Sequence, residues 1–244
     1  MNDWFKELGS GCELLSGDVK ELLDSGFVVI RGPVASERMA QFAQAYDSAV
    51  TRADPADVSV GSTTTRVHDF VNRGPEFDEL YIYRPVLEAC CRVIGQPFKL
   101  SSLLARTVRP YSQSQPLHVD FKTDADGWPM VGLIIMVDGF MRDNGATRFI
   151  PGSHKPPAIP SKVMEVSASD RGCQVMACGE AGSVILYNGS VWHGHAANLS
   201  GEPRRSIQGA YIRRDAKPAV NQAARILPQT RARIGPLAEY LLAV

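Results

Sequence analysis

The amino-acid sequence predicts a mainly β fold with flanking helices. From Phe98 onward, short β-rich runs are separated by Gly, Pro, Asn and Asp, a texture typical of a sandwich or barrel rather than a parallel α/β sheet. The preceding residues show helical periodicity instead, and no internal repeat or linker divides the chain. We therefore predict one domain over 1–244, with a double-stranded β-helix (jelly-roll, cupin-like) core. Its expected parts are a helical N-terminal part at about 1–97, the core at about 98–214 and a tail at 215–244.

Composition excludes several classes of partner. Lys+Arg and Asp+Glu are equal at 26 each, so no charge excess favours nucleic acid or an anionic membrane. No basic segment leads into an apolar run at the N-terminus, and no stretch approaches the ~20 apolar residues that span a bilayer. The five cysteines form no C-x-x-C pair, which favours free thiols in a reducing cytoplasm. They are Cys12, Cys90, Cys91, Cys173 and Cys178.

The N-terminal part is predicted to hold helices around one apolar strand. Leucines at helical spacing predict a helix before Gly26, and Phe27–Ile30 predicts the strand. Ser36 is suited to N-cap a helix that runs to about Val50. Residues 51–78 are polar and predict a long loop of the kind that forms lids, with a short strand around 66–70.

The rest of the chain is predicted as strands between turns. Pro85 suits the first turn of a helix that ends before Gly95. Asp143-Asn144-Gly145 indicates a tight turn, residues 155–180 an insertion, and 237–242 a final helix. The predicted strands are 98–109, 115–121, 131–138, 146–150, 183–188, 191–195 and 205–213.

One short motif points to metal chemistry. In Gln115-Pro-Leu-His118-Val-Asp120, the histidine and the aspartate are two residues apart, so on a strand they would point to the same face. A distant histidine, as in Trp192-His193-Gly194, would complete two imidazoles and one carboxylate, the pattern of non-haem Fe(II) oxygenases. An H-x-D pair is common in chains of this size, so the interpretation depends on the accompanying motifs.

Four motifs in order resemble the phytanoyl-CoA dioxygenase family. The H-x-D segment is followed by Asn144-Gly-Ala-Thr147-Arg-Phe-Ile-Pro-Gly-Ser-His154, then by Trp192-His193-Gly194, and then by Asn198 and Arg204. The opening strand at Gly26-Phe27-Val28-Val29 and the helix after it extend the resemblance over most of the chain. It implies a jelly-roll oxygenase that depends on Fe(II), 2-oxoglutarate and O2.

The resemblance also implies roles for individual residues. His118, Asp120 and His193 match the metal ligands, and Arg204 matches the arginine that binds the distal carboxylate of 2-oxoglutarate. Arg204 lies 11 residues beyond His193, and a guanidinium holds a carboxylate through two hydrogen bonds. Gln115 and Thr147 match positions that hydrogen-bond the co-substrate in several members. Related halogenating enzymes have Gly or Ala in place of the carboxylate, so Asp120 favours hydroxylation or another oxidation.

Some assignments leave alternatives open. His195 shares a strand face with His193 by the period-two rule, although the Trp-His-Gly match and the spacing to Arg204 favour His193. Arg205 should point away from Arg204. His154 is expected to fix a turn, and His68 lies in the long loop, where solvent exposure is the default.

The predicted function is oxidation of a C–H bond in a small-molecule substrate, with release of succinate and CO2. Two other functions stay open: a metal-dependent cupin-like hydrolase or isomerase with Zn²⁺ at the same residues, and a non-catalytic jelly-roll binding module. The sequence sets neither the substrate nor the oligomeric state. It also assigns no role to six candidate contact residues: Arg66, Arg106, Arg109, Tyr111, Lys122 and Trp128.

Overall fold

Two antiparallel sheets form the body of the protein in the computed structural model, which describes residues 3–155 and 174–244. The larger sheet has seven strands in the order β1-β8-β5-β10-β4-β3-β2, and the smaller has three in the order β7-β6-β9. The strands are β1 (Phe27–Arg31), β2 (Val58–Val60), β3 (Thr64–Val67), β4 (Phe98–Val108), β5 (Met130–Met136), β6 (Thr147–Phe149), β7 (Val175–Ala177), β8 (Ser183–Asn188), β9 (His193–His195) and β10 (Arg204–Arg213). The predicted jelly-roll class is confirmed.

Helices flank the larger sheet on the side away from the smaller one. They are α1 (Trp4–Gly9), α2 (Ser16–Ser25), α3 (Met39–Thr51), α4 (Arg84–Ile94), α5 (Gln222–Arg225), α6 (Pro228–Arg233) and α7 (Pro236–Leu242). Short 3-10 turns occupy Ser36–Arg38, Pro55–Asp57, Phe70–Asn72 and Pro75–Leu80. Within 3–155 and 174–244, no helix has the length and apolar character needed to cross a bilayer.

Strand β5 shows how the chain fills two cores. All seven of its residues are buried, because both faces of the sheet are covered. Leu133 and Ile135 point into the cluster shared with the helices, whereas Ile134 and Met136 point into the cluster between the sheets. In the inter-sheet cluster Phe27 stacks on Phe149 with ring centroids 4.2 Å apart. The inter-sheet face also carries the polar residues described below.

Residues before β4 contribute three strands to the larger sheet. The predicted strand at Phe27–Ile30 is confirmed as β1, which pairs with β8. The predicted long loop at 51–78 contains the β2–β3 hairpin, and β3 pairs with β4 at the other edge. The strand expected around 66–70 therefore begins earlier, at Thr64. The hairpin brings the polar loop beside the open end of the sandwich.

Two of the three predicted turns and helix ends described here are confirmed by the structure. The helix with Pro85 in its first turn ends at Gly95, whose φ of 69° is left-handed. Asn144 holds the predicted turn, since its Oδ1 accepts from the amide of Met141. That turn leads from the larger sheet to the smaller one. Ser36 is not an N-cap, because it lies in a 3-10 turn and α3 begins only at Met39.

Two strand predictions differ from the structure. Residues 115–121 form no strand; apart from one isolated bridge between His118 and His193, they lie outside both sheets. Pro116 has no N–H to donate to a ladder, which explains why pairing is interrupted there. Strand β7 falls inside the predicted insertion at 155–180, of which 156–173, with Cys173, lies outside the described residues.

Candidate metal centre

Two histidines and one carboxylate converge at the open end of the sandwich. The Nε2 of His118 lies 3.6 Å from Oδ1 of Asp120, and the Nε2 of His193 lies 3.6 Å from Oδ2 of the same carboxylate. Potential ligand atoms of the three residues all lie within 4.8 Å of one another. The predicted convergence of a local pair and a distant histidine is confirmed, although the pair lies on an irregular segment and not on a strand.

Backbone carbonyl groups fix the orientation of both rings. The Nδ1 of His118 lies 3.2 Å from the carbonyl oxygen of Pro116, and the Nδ1 of His193 lies 3.0 Å from that of Val191. A carbonyl oxygen can only accept, so each Nδ1 carries the proton and each Nε2 presents a lone pair. Such contacts set the tautomer of histidines that bind metals. The three side chains could therefore hold one divalent cation.

Burial keeps His193 in the form that binds a metal. Loss of solvent lowers its pKa to about 4, with the Asp120 charge opposing this change and His118 adding to it. At neutral pH the imidazole is uncharged, as metal ligation requires.

The structure separates His195 from this group. Its Nδ1 lies 2.8 Å from the carbonyl oxygen of Ala196, and its Nε2 lies 3.0 Å from the Thr63 hydroxyl in the β2–β3 hairpin. Both ring nitrogens are engaged, so His193 is the histidine that joins His118 and Asp120. His195 instead ties the hairpin to β9.

Tyr187 contacts the same carboxylate and was not anticipated from the sequence. Its hydroxyl donates a 2.7 Å hydrogen bond to Oδ2 of Asp120, and its ring centroid lies 4.7 Å from that of His193. Gly132 stands directly opposite on β5, where a Cβ would overlap the tyrosine ring. A glycine inside an apolar strand was the available signal, since it often marks a close approach by a neighbour.

Arg204 is a buried cation beside the same cavity. The cavity has a volume of about 230 Å³ and is bordered by all three converging residues and by Arg204. The guanidinium donates to the Gly145 carbonyl at 2.6 Å and to the Ser206 hydroxyl at 3.2 Å, and lies 4.0 Å above the Phe140 ring. Among the described residues it has no carboxylate within 4.0 Å, and its Nε has no hydrogen-bond partner.

The electrostatic setting of Arg204 confirms the predicted contrast with Arg205. Burial, aided by the charge of Arg106, lowers the pKa of Arg204 to about 9. Arg205 points to the other face, where it forms ion pairs with Asp138 and Asp47. A buried guanidinium without a counter-ion is costly and suits a site that receives an anionic ligand.

The other predicted site residues lie at or near this cavity. Thr147 is buried in its wall, and Gln115 borders it with Oε1 accepting a 2.8 Å hydrogen bond from Arg106. His68 also borders the cavity. His154 lies away from it, where its Nε2 donates to the carbonyl of Leu23, as expected of a residue that fixes a turn.

Of the six residues to which the sequence assigned no role, three border the cavity or an adjoining groove and three do not. Arg66 and Arg106 border the cavity, and Tyr111 borders an adjoining groove. Arg109 donates to the carbonyl of Gly61 in the β2–β3 hairpin. Lys122 is exposed, and Trp128 packs near His154 and donates to its carbonyl.

Fold and site together define a jelly-roll protein with a two-histidine, one-carboxylate group, the arrangement used by non-haem iron oxygenases. The family model described as Phytanoyl-CoA dioxygenase (PhyH) matches residues 22–206. The chain belongs to the phytanoyl-CoA dioxygenase family. It is an Fe(II)- and 2-oxoglutarate-dependent dioxygenase.

Individual proteins resemble the chain in sequence or in fold. The multifunctional dioxygenase prhA of Penicillium brasilianum is 27% identical over 220 residues, which cover 80% of this chain and 71% of the relative. AviO1 from Streptomyces viridochromogenes Tue57 has a similar fold, with a TM-score of 0.67, 22% identity and coverage of 84% of this chain and 97% of AviO1. HygX from Streptomyces hygroscopicus, solved with nickel and 2-oxoglutarate bound, has a TM-score of 0.67, 17% identity and coverage of 84% and 89%.

Proposed function

We propose that the protein hydroxylates a C–H bond of a small-molecule substrate, with His118, Asp120 and His193 holding Fe(II) and Arg204 holding the distal carboxylate of 2-oxoglutarate. The observation that carries this proposal is the buried Arg204, which has no counter-ion among the described residues and borders the same cavity as the three converging ligands. An anion with two carboxylates, one on the metal and one on the arginine, satisfies both ends of the cavity.

The residues fit the two absent groups. Two imidazoles and one carboxylate form a donor set that leaves other positions on the metal open. The unpartnered Nε of Arg204 and its buried position fit a planar carboxylate. Thr147, buried in the same wall, offers a hydroxyl to the co-substrate.

In this reaction the side chains of the protein position the metal and the co-substrate and enclose them in the cavity. Fe(II), together with 2-oxoglutarate and O2, supplies the oxidising chemistry, yielding succinate and CO2 as a C–H bond of the substrate is oxidised. His118 and His193 keep their rings aimed at the metal through their carbonyl contacts. Tyr187 holds one oxygen of Asp120, and Phe140 covers one face of the Arg204 guanidinium.

The alternatives fit this structure less well. A zinc hydrolase or isomerase on the same ligands has no need for a buried cation beside the metal, and a binding module has no need for oriented Nε2 lone pairs. Asp120 occupies the position that is Gly or Ala in the related halogenating enzymes, so we propose hydroxylation as the outcome.

The test is anaerobic reconstitution with Fe(II) and 2-oxoglutarate, observing the visible charge-transfer band of the chelate. We expect a band in the wild type, no band in Asp120→Ala, and a band in Arg204→Lys that requires at least tenfold more 2-oxoglutarate, because an ammonium cannot form the bidentate pair. Arg205→Lys is the matched control, because its side chain points to Asp138 on the other face.

Two results would contradict the proposal. Tight iron binding without a band would favour the hydrolase or isomerase. A protein that binds no iron would favour the binding module. If the band is present, succinate release becomes the readout for a substrate search.

A further inference from the structure

Two arginines face each other across neighbouring strands beside the metal cavity. Arg66 on β3 is the direct register partner of Arg106 on β4. Both border the cavity. Like charges in such opposed positions destabilise a sheet. Burial, followed by the nearby Arg66 charge, lowers the pKa of Arg106 to about 10. The fold therefore maintains a repulsive pair at its open end.

Neither arginine forms an ion pair with a described residue, although the charge of Asp120 acts on Arg106 from a longer distance. Arg106 donates to two neutral amide oxygens, Oε1 of Gln208 at 3.2 Å and Oε1 of Gln115 at 2.8 Å. Within residues 3–155 and 174–244, its buried Nε has no hydrogen-bond partner. Arg66 is exposed, and its side chain forms neither a hydrogen bond nor an ion pair with any described residue. The two amides thus orient Arg106 without cancelling its charge.

The pair stands where the metal cavity opens into a larger groove. This groove has a volume of about 670 Å³, a size typical of small-ligand pockets. Hydroxyl and amide side chains dominate its walls, and none of the described residues bordering it is acidic. Those polar wall residues are Ser59, Ser62, Thr63, Thr64, Ser112, Gln113, Ser114 and Gln115.

The charges around the cavity do not balance when iron and co-substrate are counted. Asp120 offsets one of the three arginines that border it, namely Arg66, Arg106 and Arg204. The two positive charges of Fe(II) and the two negative charges of 2-oxoglutarate cancel each other. Two positive charges remain, and Arg66 and Arg106 are the arginines nearest the groove.

We propose that Arg66 and Arg106 form a second anion subsite, separate from Arg204, which binds a carboxylate, phosphate or sulfate group of the substrate. This inference rests on the proposed function, because it takes Arg204 to be occupied by 2-oxoglutarate. Guanidinium groups bind such oxyanions through paired hydrogen bonds, and the orientation of Arg106 by Gln115 and Gln208 prepares it for this contact. The substrate class is an acidic, polar small molecule.

The subsite can be probed without turnover. The protein is loaded anaerobically with Mn(II) and saturating 2-oxoglutarate, so that Arg204 is occupied and the metal is paramagnetic. Benzoate, phenyl phosphate and the neutral benzamide are then titrated, and the broadening of their ring-proton NMR signals reports binding near the metal.

We expect the two anions to broaden at concentrations at least tenfold lower than benzamide. Arg66→Gln and Arg106→Gln should each remove about tenfold of the anion affinity and leave benzamide unchanged, the size of effect expected for one charge-assisted contact. Arg38→Gln is the matched control, since it removes the same charge from an exposed ion pair elsewhere. Arg106→Lys keeps the charge if Arg106→Gln does not fold.

Other outcomes would overturn the inference. Equal broadening by benzoate and benzamide would show that no second anion subsite exists. Arg66 or Arg106 variants that lose 2-oxoglutarate affinity, with probe binding unchanged, would assign the pair to the co-substrate. A wild type that binds Mn(II) but no 2-oxoglutarate would reject the proposed function itself, and is recognised before any probe is added.

Discussion

The hydroxyl of Tyr187 donates a 2.7 Å hydrogen bond to Oδ2 of Asp120, the oxygen that also faces Nε2 of His193. The tyrosine is buried, and this burial, together with the Asp120 charge, raises its pKa well above the usual range, so it stays a donor. One carboxylate oxygen is thereby held in place by a side chain outside the ligand group.

Replacing this donor should weaken metal binding. Because partners that orient a ligand are worth about 10–100-fold in metal affinity, we expect Tyr187→Phe to weaken Co(II) binding by that range while the fold persists. Calorimetric titration of Co(II) measures the change. Tyr46→Phe removes another buried hydroxyl contact, to Thr107, and serves as the control. Equal Co(II) affinity in wild type and Tyr187→Phe would show that the hydrogen bond does not position Asp120.

A methyl group at Gly132, on the neighbouring strand β5, should displace the Tyr187 ring. Its Cβ would overlap the Tyr187 ring, whose centroid lies 4.7 Å from that of the His193 ring. We expect Gly132→Ala to lower the free energy of unfolding by about 2 kcal/mol, as overpacking typically does, and to weaken Co(II) binding. Gly209→Ala is the comparison, because its Cβ would meet the mobile end of Leu133. Chemical denaturation that ranks Gly209→Ala as the more damaging change would contradict this account.

Glu88 anchors the N-terminal segment from inside α4. Its carboxylate is buried and accepts from the amides of Glu13 at 3.1 Å and Leu14 at 2.9 Å. Glu88→Ala should lower the free energy of unfolding by about 2–3 kcal/mol, since two backbone donors lose their partner. Glu88→Gln should cost less, because its single amide oxygen still accepts from one of the two backbone amides. Glu21→Ala, on the exposed face of α2, should change stability little.

His154 should make the protein less stable in mild acid. Burial lowers its pKa from 6.5, because its Nδ1 lies in the interior without a partner and Lys155 adds repulsion, while the Leu23 carbonyl and Asp24 oppose the shift. The unfolded state therefore binds more protons just below pH 6.5, so stability is full above that pH and declines as the pH falls through it. Denaturation of the metal-free protein at pH 7.5 and 5.5 measures the loss. His154→Gln should have a smaller difference between the two pH values; an unchanged difference would place the effect elsewhere.

Sequence periodicity predicted the parts of the fold that depend on local alternation. The opposite directions of Arg204 and Arg205 follow from the period of a strand, and both were placed correctly. The prediction that His118 and Asp120 lie side by side is also correct. Its basis was wrong, because the two residues were expected on a strand, and Pro116 prevents a strand there.

Contacts that depend on the register between distant strands could not be predicted from the sequence. Arg66 and Arg106 were named as candidates, but their opposition depends on how a hairpin pairs with the edge of β4. The contact of Tyr187 with Asp120 likewise depends on where an irregular segment crosses β8 and β9. No local sequence pattern determines where two such distant segments meet. The cytoplasmic location stays a prediction.

The segment that carries His118 and Asp120 joins β9 through the bridge between His118 and His193 and through the amide of Gln115, which donates to the carbonyl oxygen of His195. Any ion bound by these residues and His193 would act as a cross-link between that segment and the sheet. The same segment supplies Gln113, Ser114 and Gln115 to the groove wall. We therefore expect metal binding to restrain this wall of the groove, so that the metal-free and metal-bound proteins differ in the shape of the groove.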